Sequence, residues 1–200
     1  MNNKGKVKEI VIKNRSYREF DTSVPITYEA LEGYIDSVRF TPSTVNLQPL
    51  KFYIATEPEE TSLIRKNVKF AGLLPGYKGP DREHDPTGYV IIFTDKNIAP
   101  KPEGFDKDVG IAAQTILLEA VEDGFGGCMI GSFNGNEIIR YFNFPENLSM
   151  RLIIALGKPL TNIVLEEMPA GGSTAYYRDE NSVHHVPKRP LSEILVNRNL

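Results

Sequence analysis

The sequence contains no tryptophan, one cysteine and three histidines, and each scarcity closes off a kind of chemistry. Cys128 alone excludes an internal disulfide and any multi-cysteine metal site, which points to a reducing, cytoplasmic setting. His184 and His185 are adjacent, so their side chains point apart in extended chain, and no i, i+4 ligand pair appears. So few histidines leave little to serve as the base of a hydrolase triad, and Ser132 sits in "GSFNG" rather than a nucleophile-elbow pattern. No apolar run approaches the roughly eighteen residues of a membrane span, and the opening "MNNKGKVKEI" lacks a signal-peptide core. A formal charge of −3 gives no general reason to bind nucleic acid or an anionic membrane. Any anion site must therefore be local.

What remains is the composition of a folded chain, 40% hydrophobic and 24% charged, long enough at 200 residues for one domain with a sizeable core. Residues 6–13 form a short mixed segment. Thr27 is a plausible N-cap for a helix with Leu31, Tyr34, Ile35 and Val38 on its buried face. "TPSTVNLQP" (41–49) is a loop, "LKFYIAT" a strand, and 59–70 a helix. Residues 71–87 hold three prolines and three glycines and form a long loop, expected to shape substrate access. "GYVIIFTD" (88–95) and "MRLIIALGKP" (150–159) are apolar runs suited to central strands. The clearest helix spans 106–124, with an acidic start that suits the dipole and Gly124 as its stop. "FGGCMIGSF" is a short strand opening into a loop, and "NEIIRYF" a short helix. From about residue 160 periodicity is lost for some thirty residues, uncommon inside a compact domain. That stretch is expected to run over another subunit. Alternating helices and four or five apolar strands imply an α/β or α+β sandwich.

Chemistry concentrates in four polar loops. "NRSYREF" offers Arg15, Ser16 and Arg18, and "VPKRP" offers Lys188 and Arg189. Forked guanidinium donors with a hydroxyl suit a phosphate, although a solvated surface turn explains each cation taken singly. Asn46 and Gln48 each pair a donor with an acceptor, as a heterocycle edge requires. Gly131 permits close approach to the backbone. "DGFGG" follows a helix, whereas a dinucleotide fingerprint follows a strand, so it reads as a helix stop. No cation adjoins Cys128 in sequence to lower its pKa, and it reads as a packed residue.

In order and spacing these loops resemble the FMN-dependent nitroreductase family. "NRSYREF" is similar to its N-terminal R-R-S-x-R-x-F motif and "TPSTVNLQPLKFYI" to its P-S-x-x-N-x-Q-P-W-x-F loop and strand. "DVGIAAQTILLEAVEDGFGGCMIGSF" resembles its central helix and flavin loop, and "LIIALGKP" and "VPKRPLSEI" its late strand and basic C-terminal motif. Asn14 stands where the family often has arginine, and Leu50 where it often has tryptophan.

The resemblance implies an α+β fold over a single domain, 1–200. A central mixed β-sheet is flanked by helices, in an intertwined homodimer whose extended arm (about 160–190) embraces the partner. It further implies FMN at the interface. Arg15, Ser16 and Arg18 contact its phosphate, ribityl chain and pyrimidine edge. Pro42, Ser43 and Asn46 of the other subunit line the ring. Ile130, Gly131 and Ser132 lie along the isoalloxazine, and Lys188 and Arg189 close on the phosphate. The implied reaction is ping-pong: NADH or NADPH delivers hydride to flavin N5, and a nitroaromatic, quinone or similar small molecule then accepts electrons. No side chain is nominated as catalytic and none as a metal ligand. A specialised dehalogenation or desaturation on the same fold, or a non-enzymatic flavin-binding protein, is the alternative.

Overall fold

The apolar run "RLIIAL" becomes the middle strand of the principal sheet. The structure, a computed structural model, describes residues 5–70, 77 and 79–196. It divides into two compact units, residues 1–71 with 78–160 and residues 72–77 with 161–200.

In the first unit, β5 (Leu148–Pro159) pairs with β3 (Gly88–Asp95) and with β4 (Gly126–Ile130), so that Ile153 faces Ile91 across one ladder and Ile130 across the other. Beyond β3 lies β2 (Leu50–Ala55), and β1 (Phe20–Asp21) pairs with the end of β5. Ile153–Leu156 and Tyr89–Ile92 are wholly buried. Both faces of the sheet are covered there, which is why these strands read as unbroken apolar runs. All ladders of this sheet among the described residues are antiparallel, which corrects the expected mixed sheet. The crossover between β3 and β4 does leave those two strands parallel, but β5 inserts between them.

The crossover contains α4 (Asp106–Glu122), whose Val109, Ala112, Ala113, Ile116, Leu117 and Ala120 are buried. Alanines on this stripe let the helix sit close to the strands, with α2 (Tyr28–Val38) packed beside it. Thr27 caps α2 by accepting from Ala30 N, and Gly124, at φ 75°, ends the α4 segment in the left-handed region. A bulge in the β3–β5 ladder falls at Arg151. Its guanidinium reaches Asp106 and Glu103 and so anchors the start of α4. The helix expected over 59–70 is α3 (Pro58–Lys66). Its last residues instead form an edge contact in which Val68 bridges Phe133. The segment expected to be mixed is α1 (Lys6–Lys13), with no buried residue. In the expected 71–87 loop, residues 71–76 and 78 lie outside the described residues; Arg65 Nε donates to Asp85 at 2.6 Å and so ties down the described remainder.

The N-terminal segment docks on β4 because of one close approach. A Cβ at Gly127 would stand 2.1 Å from the Ala155 carbonyl oxygen, so only glycine fits. Ser16 bridges Gly127, Tyr17 N donates to the Gly127 carbonyl at 3.1 Å, and the Tyr17 ring lies over Gly126.

The second unit corrects the reading of 160–190 as lacking regular structure. There β6 (Ile163–Glu167) pairs in parallel with β8 (His184–Lys188), and β7 (Tyr177–Arg178) pairs antiparallel with it. The strands are two to five residues long and mostly half-exposed, so they show little alternation. A four-residue helix, α6 (Leu191–Ile194), follows. His185 ties the three strands together. Its Nδ1 lies 2.6 Å from Glu166 and its Nε2 3.2 Å from Asp179, while its ring stacks on Tyr177 at 4.7 Å. Hydrogen bonds to Asp179 and Glu166 raise its pKa above the ordinary value of 6.5.

Two outcomes follow from these contacts. Gly127→Ala forces β4 off β5 and costs about 1–3 kcal/mol or more, read as a lower urea midpoint at unchanged slope. Protonated His185 stabilises the second unit fully below its ordinary pKa, and that contribution is lost as pH rises through the raised value. Protease cleavage within 176–188 therefore accelerates with rising pH, relative to a His185→Gln variant followed over the same series.

Candidate functional site

The candidate residues fall into three groups. The first lies beside β4. Arg15 Nη2 donates to the Val11 carbonyl at 2.7 Å, which fastens the guanidinium to the last turn of α1. Arg15 Nε is buried without a hydrogen-bond partner among the described residues. Burial also lowers the Arg15 pKa, the mark of a cation short of solvation that an anion would satisfy. The neighbouring Ser16 is exposed. Arg18 Nη1 donates to the Ser16 carbonyl at 3.1 Å, and its charge is felt at Cys128 one strand away.

Farther along the same strand Ile130 is buried, while Gly131 and Ser132 are exposed. A Cβ at Gly131 would meet nothing within 4 Å, so this backbone faces open space. The turn is held from behind: Lys69 N donates to the Ser132 carbonyl at 2.9 Å and Asn134 N to the Asn67 carbonyl at 2.8 Å.

Pro42, Ser43 and Asn46 form the second group, in the loop before β2. The strand order β4-β5-β3-β2 puts this loop at the far edge of the sheet, three strand spacings or roughly 14 Å from β4. Val45, Asn46 and Gln48 have φ of 48°, 55° and 52°, a left-handed conformation that is costly for a β-branched valine.

Asp108 on α4 holds the loop. Its carboxylate accepts from Ser43 Oγ and Thr44 Oγ1, each at 2.6 Å, and from Thr44 N at 3.0 Å. Ser43 Oγ in turn accepts from Gln48 N at 3.0 Å, and Gln48 Nε2 donates to Asn46 Oδ1 at 3.0 Å. Asp108 is 4% exposed. Burial pushes its carboxyl pKa up, but the donors from Ser43 and Thr44 outweigh that and leave it lowered. Sequence reasoning missed Asp108. Its only local signal was an acidic first turn, and the loop it holds lies some 65 positions earlier.

Lys188 and Arg189, the third group, belong to the second unit. The Lys188 carbonyl accepts from Met168 N at 3.0 Å, and Arg189 Nη1 donates to Glu193 at 2.8 Å. Cys128 is a packed residue, its thiol pushed up to about 12 by burial. Among the described residues no group of His, Cys, Asp and Glu is arranged to hold a metal ion.

Comparison with known proteins adds a family and a fold. The sequence profile of the nitroreductase family matches residues 11–158. A Bacillus subtilis (strain 168) protein, YodC, provisionally named an NAD(P)H nitroreductase, is 24% identical over 176 residues, covering 74% of this chain and 87% of its own. A Desulfovibrio desulfuricans structure, provisionally named a nitroreductase and solved with FMN, superposes with TM-score 0.68 at 20% identity, covering 97% of each chain. An Exiguobacterium sibiricum structure so named, also solved with FMN, gives 0.67 at 17% identity, covering 96% of each. At these identities the two structures speak for the fold.

Proposed function

The chain belongs to the nitroreductase family, and from that premise we propose that it is a cytoplasmic, homodimeric FMN oxidoreductase driven by NADH or NADPH. The observation that carries this reading is Arg15, whose buried Nε lacks a hydrogen-bond partner among the described residues, beside the exposed Ser16 and the open Gly131 backbone. A cation that needs an anion, a hydroxyl donor and an unobstructed peptide plane are what a phosphorylated planar cofactor requires. When bound, FMN supplies two-electron chemistry between the nicotinamide and a nitroaromatic, quinone or similar acceptor.

The chain's own residues hold and orient. Arg15 and Ser16 take the phosphate, and Arg18 contributes a fixed positive charge to the electron-rich edge of the ring. Gly131 and Ser132 present backbone along the ring, while buried Ile130 makes that wall rigid. The 42–46 loop of a second copy covers the opposite side, Asn46 offering donor and acceptor together. The C-terminal region, over about 160–190, embraces the partner as an arm. No side chain is assigned a proton or a covalent step.

Unburied apolar surface supports a dimer. Phe40, just before the 42–46 loop, is 77% exposed and Val45, within it, 86%. Val7 and Val11, a helical turn apart on α1, are also exposed. No described helix is long and apolar enough to cross a membrane.

The direct test is the visible spectrum of the purified protein, with FMN supplied if needed, before and after anaerobic addition of NADH or NADPH. Flavin bands that bleach with either nucleotide, and return with a nitroaromatic or quinone, are expected. Absence of flavin bands contradicts the cofactor assignment, and bands that neither nucleotide bleaches contradict the reaction.

A further inference from the structure

The loop before β2 has a conformation that its own residues do not favour. Val45 and Asn46 lie consecutively in the left-handed region, Gln48 follows there, and Val45 has 86% of its surface exposed. The loop's own turn bonds, Asn46 N to the Ser43 carbonyl and Leu47 N to the Thr44 carbonyl, close it locally without fixing it to the rest of the unit. Side-chain anchorage comes from Asp108, which gathers two hydroxyls and a backbone N–H of Ser43 and Thr44.

The first turn of α4 favours a carboxylate here, but that alone does not account for the two loop hydroxyls and the loop N–H gathered on it. Asp108 is 4% exposed, and its short contacts run to residues of the loop. Its own position is well determined. Arg151, displaced by the β-bulge, pairs with Asp106 two residues earlier in the same first turn, and the buried stripe of α4 continues at the next residue, Val109. The carboxylate thus ties the loop to the long, buried helix of the unit.

We propose that Asp108 is the positioning residue of the ligand-facing 42–48 loop, with Ser43 relaying that hold inside the loop rather than contacting the ligand. The inference rests on the flavin reading, which gives the loop its ligand. It reassigns Ser43, whose hydroxyl donates to Asp108 and accepts from Gln48 N. The relay runs on through Gln48 Nε2 to Asn46 Oδ1, which holds the carboxamide of Asn46 on the exposed rim. Asn46 and Val45, not Ser43, are the ligand-facing residues of this loop.

The experiment is a fluorescence titration with FMN on flavin-stripped wild-type protein and on Asp108→Asn, Asp108→Ala, Ser43→Ala and the Asp108→Ala/Ser43→Ala double variant. It is run well below each melting temperature, where a general loss of stability leaves the affinity of the folded protein unchanged. Asp108→Ala is expected to raise Kd by about tenfold or more, and Asp108→Asn, which keeps one acceptor, by less. Ser43→Ala acts on the same relay, so the double variant binds about as well as Asp108→Ala alone rather than showing the product of the two losses. Should Asp108→Ala fail to fold, the same comparison is made with Asp108→Asn and its double variant. A Kd within about twofold of wild type for both Asp108 variants overturns the inference, as do losses at Ser43 and Asp108 that multiply. If wild-type protein takes up no FMN, the flavin reading falls first and this inference with it. Wild-type binding with indifferent variants overturns this inference alone.

Discussion

At Gly127 the β4 backbone passes so near the Ala155 carbonyl that a side chain of any size is excluded. Much of the first unit depends on that approach. It keeps β4 in register along β5, and it leaves the other side of β4 free for the segment holding Arg15, Ser16 and Arg18. The same strand then delivers Ile130, Gly131 and Ser132 to open surface. One backbone contact thereby places the cationic half of the candidate site beside the strand that carries the peptide-plane half.

The electrostatics fit this scaffold. In a chain of net charge −3, attraction for an anion has to come from a few groups kept short of solvent. Arg15 is such a group, half-buried with Nε unpartnered among the described residues and Nη2 on a backbone carbonyl. A backbone partner orients a guanidinium without neutralising it. Arg189 differs, since Glu193 already pairs with it. Within the second unit the charge is used for cohesion, with His185 between two carboxylates as the clearest case.

What was legible in the sequence follows the physics of burial. β3 runs from Gly88 to Asp95 as expected, because a strand covered on both faces announces itself as a continuous apolar run. The buried stripe of α4 was equally plain. α1 was missed because its apolar residues bury nothing in this chain, and β6, β7 and β8 because short, half-exposed strands carry little alternation. The mixed sheet was a wrong inference, since strand direction depends on where β5 inserts, which hydropathy does not encode. The motif loops were readable as chemistry, but the division of labour inside them was not. Nothing in "TPSTVN" says that Ser43 turns inward to a carboxylate on a distant helix.

The central claim is that one flavin site needs two copies of the chain, the β4 side from one and the 42–46 loop from the other. Mixed dimers of an Arg15→Ala copy and an Asn46→Ala copy, isolated through two different affinity tags, test it most directly by their FMN content. In such a dimer a shared site has both defects together on one side and neither on the other. Sharing therefore predicts that a single full-affinity flavin site reappears, although each variant alone binds weakly. Mixed dimers that bind FMN no better than the two parent variants would contradict it.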